Sequence, residues 1–172
     1  LSGDDVRYYT LNASGEIDRL ILNEVTGDTY QYVYLSGITD SSSSGNGNID
    51  NISVSYTYVL DGQTHSLSGS ARYSAKVGGA VLQYEDGNLT SIIQLSGVTL
   101  DSLGSLSAMS GNQEYPLSED VQVLLRDGTG IYAYYAASLS QINTEDYDLT
   151  GWYDDLGCAA GGRIRIITAV PK

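Results

Sequence analysis

Three close pairs of acids stand out as groups that could do chemistry: Glu119/Asp120, Asp146/Asp148 and Asp154/Asp155. Two carboxylates at a set separation are what glycoside hydrolysis requires, one as acid and the other as nucleophile or base. All three pairs fall at expected strand ends or turns, where aspartate serves local hydrogen bonding. With 21 acids in 172 residues, such pairs also arise by chance. A hard cation is a better use of the same oxygens. Asp146, Asp148, Asp154 and Asp155 flank Trp152 and form a candidate calcium set, although the regular spacing of a calcium loop is absent. No other cofactor is expected. Serine is plentiful, but no G-x-S-x-G elbow is present and His65 is the only histidine. It lies in the polar stretch THSLS and reads as a surface side chain rather than a base. Cys158, the only cysteine, sits in GCAAGG without a partnering motif. It reads as a small buried residue beside a tight turn, and no internal disulfide can form. The glycine pairs Gly78-Gly79 and Gly161-Gly162 precede strands rather than helices, so they make no phosphate cradle. No enzyme is expected.

Tyrosine offers a second kind of site. The chain holds 15 Tyr and 1 Trp with no Phe. Tyr30, Tyr32 and Tyr34 share a face by the two-residue strand period, as do Tyr56 and Tyr58. Exposed, these rows and Trp152 would form a platform against which sugar rings stack. The competing and favoured reading makes them half-buried core and cross-strand pairs in place of the missing Phe.

The elements that must carry these groups are hairpins. VLQYEDGNLTSIIQL (81–95) sets two apolar runs around Glu85-Asp86-Gly87-Asn88, a signal for a tight turn between antiparallel strands. The plan recurs at Val6–Val25 around Asn12-Ala13-Ser14-Gly15, and again from Leu149–Asp155 through Gly157–Gly162 into RIRIITAV. Ile52–Leu60 alternates cleanly and ends at Asp61-Gly62; its return strand contains Gly69, a candidate bulge or bend. Asp120–Tyr135 reads as a further hairpin, VQVLL to IYAYY. Between the hairpins, Thr39–Asp50 (TDSSSSGNGNID) is expected to be a mobile surface loop. The three-residue spacing of Leu100, Leu103, Leu106 and Met109 predicts one short helix capped by Asp101, and SLSQI (138–142) a helical turn.

The resulting fold class is mainly β: two small antiparallel β-barrel or sandwich domains built from repeated hairpins, with the short helix near their junction. Domain 1 spans 1–98 with three hairpins and the Ser/Gly loop at 39–50; domain 2 spans 99–172 with the helix and two hairpins. By the repeat's register, the hairpin at 5–25 matches a closing hairpin whose opening half is missing. It belongs either to domain 1 or to a truncated preceding unit, and an orphan hairpin would leave sheet edges exposed, which favours domain 1.

The formal charge of −13 opposes binding to nucleic acid and docking on anionic lipid, and no apolar run reaches membrane-spanning length. With Leu1 first and no leader, the sequence reads as a piece of a longer protein. The stretches VRYYTLNASGEIDRLILNEVTGDTY (6–30), GGAVLQYEDGNLTSI (78–92) and DYDLTGWYDDLGCAAGGRIRIITAV (146–170) resemble β-rich segments of clostridial-type S-layer-like cell-surface proteins of Gram-positive bacteria. The S-layer homology repeat itself, a helical wall-binding unit, is not visible. The resemblance implies a secreted or wall-associated, non-enzymatic structural module at the cell surface, anchored by other segments. Its partners would be those segments or neighbouring copies. Cell-wall or host glycans would be the ligands if the tyrosine rows bind.

Overall fold

The computed structural model describes residues 6–22, 29–45, 48–127, 133–154 and 162–172. Among these, helix is confined to one 3-10 turn, Leu139–Gln141, and strand dominates, so the chain is mainly β. Strands β1 (Val6–Leu11) and β2 (Ile17–Leu22) form a two-stranded antiparallel sheet. Strands β3 (Thr29–Gly45), β4 (Asn48–Leu60), β5 (Gln63–Gly69), β6 (Gly78–Glu85) and β7 (Asn88–Gln94) form a five-stranded sheet in the order β5-β4-β3-β6-β7. The third sheet holds β8 (Ser96–Leu100), β9 (Ser102–Leu103), β10 (Ser107–Ser110), β11 (Gln113–Arg126), β12 (Tyr134–Ala137), β13 (Tyr147–Asp154) and β14 (Arg163–Pro171). Its order is β8-β13-β14-β11-β10-β9, with β12 also paired to β11. The chain divides into two compact units: Leu1–Gln31 with Leu82–Ser91, and Tyr32–Val81 with Ile92–Lys172. Residue 99 lies inside the second unit.

Turn chemistry places the hairpins. Asp61 and Gly62 take φ of 50° and 75°, and Asp86 and Gly87 take 49° and 76°. Two successive residues at positive φ make the turn whose twist matches that of the strands it joins, and Asp-Gly adopts it readily. At the β1–β2 turn the Asn12 side-chain oxygen accepts the Ser14 and Glu16 N–H groups, each at 3.0 Å.

In the second unit two cores lie on opposite sides of the third sheet. Leu124 and Ile166 pack with Tyr34, Val59, Val81 and Leu95 from the five-stranded sheet and its exit, with Trp152 alongside. Leu117, Val123, Leu149, Ile164, Ile167 and Ala169 pack with Leu100, Ala108 and Ile142. The division between these cores has a local cause. Trp152 pairs with Ile166 and Tyr153 with Ile164, so Arg165 is an extra residue opposite no partner on β13. Such a bulge breaks the two-residue alternation, which is why Ile164 and Ile166 enter different cores. On its other side β11 is irregular too, since Leu117 pairs with Ile164 but Gln122 with Ile166.

Four expectations need correction. Residues Ser102–Leu103 and Ser107–Ser110 are strands, not a helix; Gly104 N–H donates to Ser107 O at 2.8 Å and closes a turn between them. The leucine spacing therefore spans two strands and a turn, and Leu106 at that turn is 81% exposed. Thr39–Asp50 is no mobile loop over its described length. Thr39 pairs with Ser55 and the ladder runs out to Gly45 with Asn48, because serine and glycine need only backbone hydrogen bonds to extend an existing hairpin. The third sheet is mixed rather than antiparallel: β11 and β14 run parallel, from Gln122 with Ile166 to Leu125 with Ala169. Of the bulge or bend expected at Gly69, the bulge is absent; Gly69 pairs with Val54 and ends β5, and the chain bends at Ser70 directly after it. The strands of the Asp120–Tyr135 hairpin and of the closing hairpin pair as expected, the former with β12 beginning at Tyr134, while residues 128–132 and 155–161 of their connections lie outside the described residues; SLSQI forms the 3-10 turn.

Candidate functional site

The Arg165 bulge re-aims that side chain into a polar cluster with Tyr32, Asp154 and Ser118. Tyr32, two residues from the core residue Tyr34 on β3, donates its hydroxyl to Asp154 Oδ2 at 2.5 Å. Arg165 Nε lies 3.4 Å from the same carboxylate oxygen, a Coulombic contact without hydrogen-bond geometry. The guanidinium carbon sits 4.7 Å from the Tyr32 ring centroid, a cation–π position. Arg165 Nη1 donates to Ser118 Oγ at 2.9 Å, and the Ser118 hydroxyl donates to Asp120. Gln122 Nε2 donates to the Tyr32 carbonyl at 2.7 Å, while its Oε1 accepts from the Asp61 N–H at 3.0 Å.

Asp154 is 5% exposed, and a buried carboxylate needs a cation and donors around it. Tyr32 and Arg165 supply both. Burial first, and then the hydrogen bond to Asp154, pushes the Tyr32 phenol up to about 12, against the pull of Arg165. Tyr32 therefore stays protonated and donating across the neutral range. Within the cluster Tyr32 donates to Asp154 and Arg165 Nη1 to Ser118, while the buried Arg165 Nε faces the Asp154 carboxylate as an ion pair without a hydrogen bond. Beside it, an open groove of about 260 Å³ is lined by Asp61, Asp120, Gln122, Leu124 and Ala136 among others.

The six aromatic candidates do not form an exposed platform. Tyr34, Tyr56 and Tyr58 are 8%, 3% and 7% exposed. Tyr34 packs on Tyr134, ring centroids 4.6 Å apart, with the two hydroxyls 3.1 Å apart. Tyr56 Oη accepts the Tyr73 N–H at 2.7 Å, and Tyr58 stacks on His65 at 5.2 Å. The physical reason is the absence of Phe: these rings fill core volume, and their hydroxyls find partners at its edge. Trp152 is half-buried, its N–H bonded to Thr168 Oγ1 at 3.1 Å. Tyr30 is the exposed one, at 58%.

The described members of the candidate calcium set do not come together at one site either. Asp148 and Asp154 stand at opposite ends of β13, six residues and so roughly 20 Å apart along an extended strand. Asp146 is exposed and accepts from Asn143 Nδ2 at 2.8 Å. Asp155 and Cys158 lie outside the described residues. No group of three or more potential metal ligands occurs among the described residues. Glu119 and Asp120 are exposed, and His65 is exposed on its stacked tyrosine.

Sequence reasoning missed Arg165, Ser118 and Gln122. The signal for Arg165 was present: Arg163 and Arg165 alternate with isoleucines in RIRII, placing two of the eight basic residues inside an apolar strand. A charge in such a place is paired. Comparison with known proteins finds no matching family model, no matching curated protein and no matching solved structure.

Proposed function

We propose that the chain is a non-enzymatic structural or assembly module of a bacterial extracellular surface protein of the S-layer-like kind. Its partners would be other segments of that protein or neighbouring copies at the cell wall. One observation carries the reading: Tyr32, Asp154, Arg165 and Ser118 engage one another, by the Tyr32–Asp154 and Arg165–Ser118 hydrogen bonds and the Arg165–Asp154 ion pair, and none of the four lines the groove beside Gln122. A reaction centre keeps such groups aimed at a substrate; a scaffold ties them off. The strongly acidic composition fits a surface that must stay apart from its neighbours except at intended contacts. The test is labelling of intact source cells with antibody raised against this chain, together with limited surface proteolysis. Labelling without permeabilisation, and release of the chain by protease, are the expected results. A chain found only after lysis would end the proposal.

A second reading, a glycan- or host-ligand-binding module, draws its support from the groove beside Gln122, where Asp61 and Asp120 present carboxylates to hydroxyl-bearing ligands. Glycan-array binding lost on Asp120→Ala would favour it over the first.

A further inference from the structure

The second unit is entered from the N-terminal side at Tyr32 and left at Lys172, and these two points lie at opposite ends of β14. Tyr32 is held at the bulge end: its hydroxyl bonds Asp154, which pairs with Arg163 at the start of β14, and Arg165 covers its ring. Its carbonyl accepts from Gln122, whose register partner is Ile166. At the far end, Tyr147 pairs with Pro171, Lys172 N–H donates to Asp146 O at 3.0 Å, and Lys172 Nζ donates to Thr144 O at 2.6 Å. Arg165 to Lys172 is seven residues of extended chain, roughly 23 Å.

We propose that the second unit is a mechanical clamp: tension between its two ends runs along β14 and loads that strand in shear. This rests on the reading of the chain as a surface spacer, since a spacer tethered on both sides carries tension. Strand β14 lies between β13 and β11, with Ile164, Ile166, Ile167 and Ala169 fully buried. A pull along its axis must break both ladders together, because every hydrogen bond lies across the direction of sliding. A pull across a hairpin opens its bonds one at a time. The parallel pairing with β11 matters for this. An antiparallel hairpin partner alone can be unzipped from its open end, whereas a parallel neighbour is joined through a long crossover and has no shared open end beside it. The Tyr32 contacts are the anchor: they deliver the load to Asp154 on β13 and Gln122 on β11, the two neighbours of β14, instead of peeling β3 away from the third sheet.

The experiment is single-molecule pulling of the full chain in a Cys158→Ser background. One attachment geometry uses handles at the two chain ends. The other uses Glu145→Cys and the C-terminal end, which draws apart the neighbouring ends of β13 and β14. Rupture reports the barrier to unfolding, and the end-to-end geometry is expected to need at least about twofold more force than the hairpin-opening one. The event is assigned by the length gained when the second unit's two segments, Tyr32–Val81 and Ile92–Lys172, extend. Equal or lower force end to end overturns the clamp. Tyr32→Phe is expected to lower the end-to-end force and leave the hairpin-opening force in place; an unchanged end-to-end force overturns the anchor and with it the proposal. If Tyr32→Phe does not fold, the two-geometry comparison on the parent chain decides alone. Failure here leaves surface labelling untouched, so the clamp and the spacer reading fail separately.

Discussion

A Cβ built on Gly79 would stand 2.5 Å from the Cβ of Trp152, so the β6 backbone lies directly on the indole side chain. A Cβ on Gly78 or on Gly97 would likewise meet that ring, 2.6 Å from Cη2 and 2.9 Å from Cζ3 respectively. The ring cannot retreat without losing its N–H bond to Thr168. Gly79→Ala is therefore expected to destabilise by about 1–3 kcal/mol through overpacking. Urea unfolding measures the loss, and the emission of the single tryptophan reports whether the ring has shifted. An unchanged midpoint with unchanged emission would mean that the indole is not seated on β6.

Two glycines in equivalent turns separate backbone strain from crowding. Gly62 and Gly87 share nearly the same φ, 75° and 76°. A Cβ on Gly87 meets nothing within 4 Å, whereas one on Gly62 meets the Ala136 backbone and comes 2.7 Å from its Cβ. Gly87→Ala should lose about 1–2 kcal/mol, the cost of a left-handed alanine. Gly62→Ala should lose that and about 1–3 kcal/mol more for crowding against β12. Thermal unfolding of the two variants side by side makes the comparison, and equal losses would remove β12 from the turn.

What the residues disclosed in advance follows the reach of the physics involved. Asp61-Gly62 and Asp86-Gly87 encode their turns within two residues, so the hairpins were legible. The parallel pairing of β11 with β14 joins strands about 40 residues apart, and no local pattern specifies it. Composition misleads over Thr39–Asp50 because it measures what side chains bury, while the arm Thr39–Gly45 is extended by backbone bonding to β4. Leu100, Leu103 and Leu106 mimicked a helical stripe because two short strands and a tight turn happen to repeat at three. At the site, Tyr32 and Asp154 were each singled out, but for separate uses. Their meeting depends on a bulge at Arg165 that brings a charge into line with both, and a bulge is a register event between strands rather than a property of either.

The Tyr32–Asp154 bond should appear as coupling. Tyr32→Phe removes a donor to a buried charge and is expected to cost about 1.5–3 kcal/mol. Asp154→Ala leaves Arg165, with its side chain 22% exposed, facing no buried carboxylate, and should cost more, about 3–5 kcal/mol. In the double variant the losses should fall short of their sum by about 0.5–3 kcal/mol. Denaturant unfolding of the four proteins closes the cycle. Strict additivity would show that the two groups do not share an interaction in the folded chain.

Stability should fall on the alkaline side, and the direction follows from which state holds the proton more tightly. Folding raises the Tyr32 phenol to about 12, by burial first and the Asp154 acceptor second, and raises Tyr34 through burial and its bond to Tyr134. An unfolded tyrosine ionises near 10, so above that pH the unfolded chain sheds protons that the folded chain keeps. The contribution of both groups is thus complete below about pH 10 and is lost as pH rises through about 12 and beyond for the two in turn. Partial exposure of Tyr32 screens its share, so Tyr34, 8% exposed, should carry more of the slope. Urea midpoints measured from pH 8 to 12 should be flat at first and then decline. Tyr34→Phe should flatten the decline more than Tyr32→Phe does, since the larger share goes with the more deeply buried hydroxyl. A decline of equal steepness in the parent and both variants would place the titrating groups elsewhere among the 15 tyrosines.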